Sequence, residues 1–326
     1  MKAVVCAGAG DVSVLQVRDD VPEPVLGRED VLVRVRATAI NRADIMQRMG
    51  RYAAPPGVPA DIPGLEFAGV IERAGEAVRE RSIGERVFGL VAGGAYAEYV
   101  AVHERIAVPI PVDMDFETAA AVPEAFTTAH DALFRLGRFQ SGQTLLIQAV
   151  GSGVGLAGVQ LAKAAGGFCA GTSRTQSKLE RAREYGADLA LLDDAATVEG
   201  VLAFTHGKGV DVIFDFIGPS KFETNLRMLR VGGRIVQIGM MGGLKAEVNF
   251  GALTAKRASL IGTVLRNRPL EEKIEAAQAF ARGVVPLLGT RLRPVIDRVF
   301  ALDQIREAHT YMESNANFGK IVIRID

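Results

Sequence analysis

The chain has 326 residues, enough for two domains that each have a hydrophobic core. Its 38 basic residues balance its 38 acidic residues, so charge gives no reason to expect nucleic acid or a membrane as a partner. Cys6 and Cys169 match no metal or redox spacing, and we expect both to be reduced core residues. The apolar run at Met1 is too short for a signal peptide, so we expect a cytoplasmic protein.

The first part of the chain is predicted to be rich in β-strands, because short runs alternate apolar and polar residues between turn residues. The predicted strands are Ala3–Cys6, Val12–Val17, Val31–Ala37, Ala68–Ala74, Arg86–Leu90, Tyr96–Val102 and Ile106–Ile110. Helical spacing over Phe116–Asp131 then marks the passage into a second domain.

The second part alternates strand-like and helix-like segments. The predicted strands are Leu145–Ile147, Phe168–Thr172, Leu189–Leu192, Val210–Phe216 and Arg234–Ile238, and the predicted helices are Leu156–Ala162, Gln176–Tyr185 and Phe222–Leu229. Such alternation is what a parallel, doubly wound α/β sheet requires.

The last part predicts a strand at Ser259–Leu265 and helices at Leu270–Arg282 and Leu302–Glu313. The chain closes with a strand over Gly319–Ile325, which we expect to return antiparallel to the first domain.

A glycine-rich turn with Gly151, Gly153 and Gly155 separates a predicted strand from a predicted helix. A dinucleotide pyrophosphate needs such a turn, since backbone N–H groups and a helix N-terminus can then approach it. Strict G-x-G-x-x-G spacing would need glycines at positions 150, 152 and 155, and only Gly155 complies. An ordinary glycine-rich loop is therefore the alternative, which the repeated strand–helix pattern disfavours.

The same stretch could be taken for a membrane helix, because residues 141–162 carry no charge and contain G-x-x-x-G. The clustered glycines, together with Gln148 and Gln160, would weaken a helix that faces lipid. We therefore expect no membrane partner.

The cofactor preference is predicted from the segment that follows the next strand. Proteins that prefer NAD carry an acid about 20 residues past the glycine turn, and here Gly171–Lys178 offers no carboxylate. Ser173 can hydrogen-bond to a ribose, while Arg174 and Lys178 can pair with a 2′-phosphate. We predict NADPH, with a solvated basic helix start as the alternative interpretation.

Several motifs together resemble the medium-chain dehydrogenase/reductase superfamily. They are Ile40-Asn-Arg-Ala-Asp44, Gly64-Leu-Glu-Phe-Ala-Gly69, Gly84-Glu-Arg-Val-Phe-Gly89, Ser152-Gly-Val-Gly155, Gly232-Gly-Arg and Asn317-Phe-Gly-Lys-Ile-Val322. More narrowly, the chain resembles the zinc-free quinone oxidoreductases related to zeta-crystallin. Pro123-Glu-Ala-Phe-Thr-Thr-Ala and Met240-Met-Gly-Gly are similar to the tumour-suppressor-induced quinone oxidoreductases of animals.

The resemblance implies a GroES-like catalytic domain over residues 1–120, to which residues 263–326 return, and a Rossmann NADP-binding domain over residues 121–262. The cofactor would lie in the cleft between them. Cofactor contacts would come from Gly151, Ser152, Gly153, Val154, Gly155, Ser173, Arg174, Lys178, Gly239, Met240, Met241, Leu265, Asn317, Gly319 and Lys320. A tyrosine of many relatives is Asp193 here, so one phosphate contact would be lost.

Zinc is not expected. The positions that match the catalytic zinc ligands of relatives hold Asn41, Leu65 and Glu124, a poor donor set. The four histidines show no ligand spacing; they are His103, His130, His206 and His309. Without a Lewis acid to stabilise an alkoxide, an activated acceptor such as a quinone or conjugated carbonyl fits better than an alcohol.

The resemblance places Tyr52, Ser152, Asn41 and Thr128 at the active site. We predict direct hydride transfer from NADPH to a quinone, with Tyr52 or water as proton donor. A packing role is the alternative for Tyr52, and a plain strand-end turn is the alternative for Gly239 and its neighbours.

Two further functions remain open. The acceptor could be an α,β-unsaturated ketone, aldehyde or enoyl thioester, or the chain could be a nucleotide-binding structural or RNA-associated protein, which its balanced charge disfavours. The resemblance also implies a homodimer through the edge strand near residues 259–265, with a simple interior strand as the alternative.

Overall fold

The computed structural model describes residues 1–325, which form two compact units. The first unit comprises Met1–Thr127 and the chain from Leu265 onward, and the second comprises Thr128–Val264. The predicted domain limits near residues 120 and 262 remain a prediction.

The described strands are β1 (Ala3–Cys6), β2 (Leu15–Arg18), β3 (Asp30–Ile40), β4 (Glu66–Ala74), β5 (Arg86–Leu90), β6 (Tyr99–His103), β7 (Val108–Pro109), β8 (Thr144–Ile147), β9 (Phe168–Ser173), β10 (Leu189–Leu192), β11 (Val210–Asp215), β12 (Leu229–Gln237), β13 (Ser259–Gly262), β14 (Ile296–Ala301) and β15 (Lys320–Arg324). The described α-helices are α1 (Arg42–Arg48), α2 (Phe116–Ala120), α3 (Pro123–His130), α4 (Gly153–Ala164), α5 (Gln176–Glu184), α6 (Thr197–Phe204), α7 (Phe222–Met228), α8 (Phe250–Lys256), α9 (Leu270–Gly283) and α10 (Ile305–Glu313).

The first unit is built on a seven-stranded sheet in the order β14-β15-β3-β4-β5-β7, with β6 also paired to β3. Val31, Val33 and Val35 of β3 are buried, and so are Leu32 and residues 37–40, so much of this strand is covered on both faces. β15 pairs antiparallel with β3, with Ile321 opposite Ile40. The predicted return of the closing strand is confirmed.

The second unit contains a six-stranded sheet in the order β10-β9-β8-β11-β12-β13, and every neighbouring pair is parallel. Leu145, Leu146 and Ile147 are completely buried, because helices cover both faces of such a sheet. The order reverses at β8, whose neighbours are β9 and β11. Ligands of doubly wound folds bind outside the carboxyl ends of the strands at such a switch point. The predicted α/β fold is confirmed.

Several predicted elements in the first unit differ from the observed ones. The strand predicted over Val12–Val17 begins with a 3-10 turn, because the Asp11 carboxylate accepts the N–H of Ser13 and caps that turn. The predicted strands at Tyr96–Val102 and Ile106–Ile110 shift or shrink to Tyr99–His103 and Val108–Pro109. The predicted helix at Leu302–Glu313 starts with a 3-10 turn before α10.

Predicted elements in and near the second unit also differ; the strand predicted over Arg234–Ile238, for example, spans Leu229–Gln237. The helix predicted over Phe116–Asp131 is broken between α2 and α3 and continues to Leu136 as a π-helix. The strand predicted over Ser259–Leu265 ends at Gly262, because its partner β12 ends at Gln237 and offers no further pairing. Among the described helices none is long and apolar enough to cross a membrane.

Candidate functional site

The glycine turn joins β8 to the N-terminus of α4, as the sequence predicts. Ser152 caps the helix, and its Oγ accepts the N–H of Gly155 at 3.1 Å. The N–H of Val150 donates to the carbonyl of Thr172 at 2.9 Å, which ties the turn to the end of β9. The first turn of α4 carries no acidic side chain, so the positive end of the helix dipole is left for an anion.

The glycines of this region permit close packing of backbone. A Cβ on Gly155 would lie 2.7 Å from the carbonyl oxygen of Val150, and a Cβ on Gly171 would lie 2.6 Å from the Val150 side chain. A Cβ on Gly158 would lie 3.0 Å from Phe214, where α4 packs on the sheet. These contacts explain why glycine is needed at Gly155, which fits the strict G-x-G-x-x-G spacing, and at Gly158 and Gly171, which lie outside it.

Gln148 lies between β8 and the glycine turn and is almost fully buried. Its Nε2 donates to Asn225, whose own amide donates to the carboxylate of Asp215 at 2.8 Å. Among the described residues, Gln148 Oε1 is a buried acceptor without a hydrogen-bond partner. The open acceptor Gln148 Oε1 could take a hydrogen bond from an N–H or O–H group of a bound nucleotide, and the glycine turn beside it leaves room for backbone contacts to such a ligand.

The predicted ribose-binding residues lie at the carboxyl end of β9. Ser173 is buried and its Oγ accepts the N–H of Thr175 at 3.1 Å, so it can donate its hydroxyl proton elsewhere. Arg174 is exposed and Lys178 is half-buried at the start of α5. Asp193 follows β10 next to Ser173, and its carboxylate pairs with Lys221.

The residues predicted to contact the nicotinamide follow β12. The N–H of Gly239 donates to Asp215 and that of Met241 donates to Phe216, so this loop is tied to the end of β11. Met240 and Met241 are more than half exposed. Thr128 is buried in α3.

In the first unit the structure brings Asn41 and Lys320 together around Glu66, a residue that the sequence reasoning did not single out. Lys320 Nζ donates to Glu66 Oε1 at 2.7 Å, to Asn41 Oδ1 at 2.6 Å and to the Ile40 carbonyl at 3.2 Å. Asn41 Nδ2 donates to Glu66 Oε1 at 2.8 Å, and the N–H of Glu124 donates to Glu66 Oε2 at 2.8 Å. Lys320 and Glu66 are buried, so this is an ion pair whose hydrogen bonds are satisfied.

This arrangement does not fit a catalytic zinc ion. The Asn41 amide is hydrogen-bonded to Glu66 and Lys320, and Leu65 has no atom that could ligate a metal. The carboxylate of Glu66 is already paired with the ammonium group of Lys320. Within residues 1–325 there is also no group of three histidine, cysteine, aspartate or glutamate side chains that could hold a metal.

Tyr52 is half-buried under a guanidinium group that the sequence reasoning also missed. The guanidinium carbon of Arg266 lies 4.8 Å from the centre of the Tyr52 ring. Arg266 is held by the Gln47 side chain and the Ala92 carbonyl, both at 2.6 Å. Burial raises the pKa of Tyr52, although the charge of Arg266 opposes the rise. The phenol is therefore protonated at neutral pH and can donate a hydrogen bond.

A chain of buried hydrogen bonds connects two residues of α1, Arg48 and Asp44, through His309 and Tyr96. Arg48 contacts His309 Nδ1 at 3.4 Å, His309 Nε2 contacts the Tyr96 hydroxyl at 3.3 Å, and that hydroxyl donates to Asp44 at 3.0 Å. Burial raises the pKa of Asp44 to about 6. Burial and the adjacent Arg48 lower the pKa of His309 to about 3. Asp44 lies in a motif noted in the sequence, but nothing there connects it to His309.

The remaining predicted cofactor residues of the first unit are close to these groups. Leu265 directly precedes Arg266 and is half-buried. The Asn317 side chain donates to the carbonyl of Gly319 at 3.0 Å. Gly319 has a φ of +91°, and a Cβ there would lie 2.3 Å from the Val295 carbonyl, so this position requires glycine.

Nucleotide-dependent oxidoreductases use such an architecture, in which one chain combines a β-rich unit with a parallel six-stranded unit that carries a glycine turn. Comparisons with known proteins agree with this class. Residues 27–112 match the alcohol dehydrogenase GroES-like domain, and residues 153–282 match the zinc-binding dehydrogenase family. The chain is 31% identical to the quinone oxidoreductase of Lama guanicoe, over 99% of this chain and 97% of the relative.

Solved structures give the same result. The quinone oxidoreductase of Thermus thermophilus, also solved with NADPH, has a TM-score of 0.85 and 30% identity, covering 100% of both chains. An NAD-dependent alcohol dehydrogenase has a TM-score of 0.87 and 28% identity, again over 100% of both chains. The chain therefore belongs to the medium-chain dehydrogenase/reductase superfamily, and its similarity is consistent with the quinone oxidoreductase branch.

Proposed function

We propose that this oxidoreductase reduces quinones with NADPH by direct hydride transfer and without zinc. The observation that carries the proposal is the Asn41–Glu66–Lys320 cluster, where zinc-dependent relatives would hold a metal. An ammonium group and an amide provide hydrogen bonds there, but no Lewis acid. The acceptor must then be activated already, as a quinone is.

A bound nicotinamide cofactor would supply the hydride. In the second unit, the turn at Gly151, Ser152, Gly153, Val154 and Gly155 would hold its pyrophosphate. In the first unit, Tyr52 would hydrogen-bond to a quinone oxygen and donate the proton that balances the hydride, giving a hydroquinone. Arg266 would then stabilise the phenolate until solvent reprotonates it.

The experiment that tests this proposal is NADPH consumption with an aromatic ortho-quinone, run without added metal or flavin. Rapid turnover with NADPH that a chelator leaves unchanged supports the proposal. Turnover only with an enone or enoyl thioester would move the substrate to the conjugated-carbonyl class. Tyr52→Phe should lower kcat at unchanged KM for NADPH, and an unchanged kcat would remove Tyr52 as proton donor.

NADPH preference is supported by Ser173, Arg174 and Lys178 and by the lack of an acid between residues 171 and 178. Arg174→Ala should raise the KM for NADPH about tenfold and leave that for NADH nearly unchanged, because the lost charge would pair with the 2′-phosphate, which NADH lacks. Arg181→Ala, which removes an exposed arginine further along α5, is the matched control. Equal effects of Arg174→Ala on both cofactors would contradict the preference.

We also propose a cytoplasmic homodimer that forms through β13. This strand ends the sheet order, and Leu260 and Val264 near it are 49% and 44% exposed. An unpaired edge with apolar side chains can pair with a second copy. Sedimentation should give a dimer for the protein and a monomer for Leu260→Lys, and a monomeric parent protein would rule this out.

A further inference from the structure

Asp193 lies at the carboxyl edge of the parallel sheet, and nothing in the proposed function uses it. Leu192 of β10 pairs with Ser173 of β9, and the N–H of the next residue, Asp193, donates to the Ser173 carbonyl at 3.0 Å. Asp193 therefore directly adjoins the strand end at which doubly wound proteins bind the adenosine ribose. A free carboxylate there would accept hydrogen bonds from the ribose hydroxyls of NADH and would repel the 2′-phosphate of NADPH.

The structure does not leave this carboxylate free. Lys221 Nζ donates to Asp193 Oδ1, and the two side chains are only 26% and 21% exposed. Lys221 lies in the turn before α7, which follows β11. In the sheet order, β9 and β8 lie between β10 and β11, so the pair joins the two segments that flank the glycine turn and Ser173.

We propose that the Asp193–Lys221 ion pair determines cofactor specificity. Lys221 neutralises the carboxylate at the end of β10, and this end of the sheet can then accept a 2′-phosphate. Arg174 and Lys178 provide the positive charge, and Asp193 no longer cancels it. The inference rests on the proposed use of a nicotinamide dinucleotide, because it concerns the adenosine end of that cofactor.

Two single variants have opposite expected effects. Lys221→Met leaves the negative charge of Asp193 without its counter-ion and should weaken 2′-phosphate binding about tenfold. This is the size of effect expected when one negative charge repels a nearby phosphate that solvent partly screens. Asp193→Asn removes that charge and should strengthen 2′-phosphate binding several-fold. The affinity of the double variant for a 2′-phosphate should lie between those of the two single variants, because each substitution removes the charge that the other would leave unpaired.

The chain offers a matched control in the same unit. Lys163 in the last turn of α4 and Asp188, which directly precedes β10, form a lysine–aspartate pair of similar exposure, 34% and 29%. Lys163→Met removes the same charge from the opposite end of the strand. It should leave nucleotide binding within about twofold of the parent protein, because exposed charges at that distance are largely screened.

The test is calorimetric binding of 2′,5′-ADP and 5′-AMP, which differ only in the 2′-phosphate. It is run at about 0.15 M salt, where the Debye length is about 8 Å and distant charges are screened. The proposal expects Lys221→Met to weaken the binding of 2′,5′-ADP and to leave the binding of 5′-AMP unchanged or tighter. It is overturned if both probes weaken equally, if Lys221→Met matches Lys163→Met, or if Asp193→Asn also weakens 2′,5′-ADP. If the parent protein binds both probes equally, the NADPH preference itself fails. If the parent protein prefers 2′,5′-ADP but none of the variants changes its affinity, only the role of the ion pair is overturned.

Discussion

Replacing Lys320 by methionine should strongly destabilise the first unit. Lys320 Nζ makes three hydrogen bonds of 2.6–3.2 Å, and it is the cation next to the buried carboxylate of Glu66. Methionine is similar in length but cannot donate a hydrogen bond. The variant would therefore leave Glu66 charged, buried and without its counter-ion.

The expected loss is about 3–5 kcal/mol of unfolding free energy, the usual cost of removing one partner of a buried ion pair. Urea denaturation followed by circular dichroism measures it as a shift of the midpoint at constant m. Lys2→Met is the matched control, because Lys2 pairs with Asp303 at the surface and is 33% exposed. That control should cost no more than about 1 kcal/mol.

A double variant separates the unpaired charge from lost packing. Lys320→Met with Glu66→Gln removes both charges, so it should be more stable than Lys320→Met alone by about 1–3 kcal/mol. A loss below about 1 kcal/mol for Lys320→Met would refute the reasoning. A double variant that is no more stable than the single one would show that the buried charge is not the cause.

The sheet of the second unit and the closing strand could be predicted because their signals are local. Runs such as Leu145–Ile147 are apolar throughout, and turn residues bound each of them. Strand ends were harder, since they depend on the neighbouring strand. Ser259–Leu265 reads as one strand, but pairing stops at Gly262 where β12 ends.

The site could be predicted only in part. Gly155 fits the spacing of a dinucleotide turn and Ser152 belongs to a motif that resembles the family, and the structure places both in a turn that caps α4. The partners of Lys320 could not be found this way, because Glu66 lies 254 positions away in the chain. Arg266 is similar, since its position over Tyr52 depends on tertiary packing that no short motif encodes.

Three further predictions follow from burial and close packing. Gly155→Ala should weaken nucleotide binding by more than about tenfold, because its Cβ would lie 2.7 Å from a backbone oxygen; Gly262→Ala, where no atom lies within 4 Å, is the control in the same calorimetric titration. Cys6 and Cys169 should resist a disulfide reagent at about pH 8 until the protein is unfolded, since burial raises the pKa of both thiols, that of Cys6 to about 11. Fast labelling of the native protein would contradict this. His309 has a pKa near 6.5 when unfolded but about 3 when folded, so the unfolded state takes up its proton first and stability is lost as the pH falls below 6.5. The loss is about 1.4 kcal/mol per pH unit, and His309→Gln lacks it. The raised pKa of Asp44 acts in the opposite direction but is common to both proteins. Relative to the parent, His309→Gln should therefore gain about 2 kcal/mol between about pH 7 and pH 5 in urea denaturation. A difference that stays constant over this range would mean that His309 takes up a proton in the folded protein.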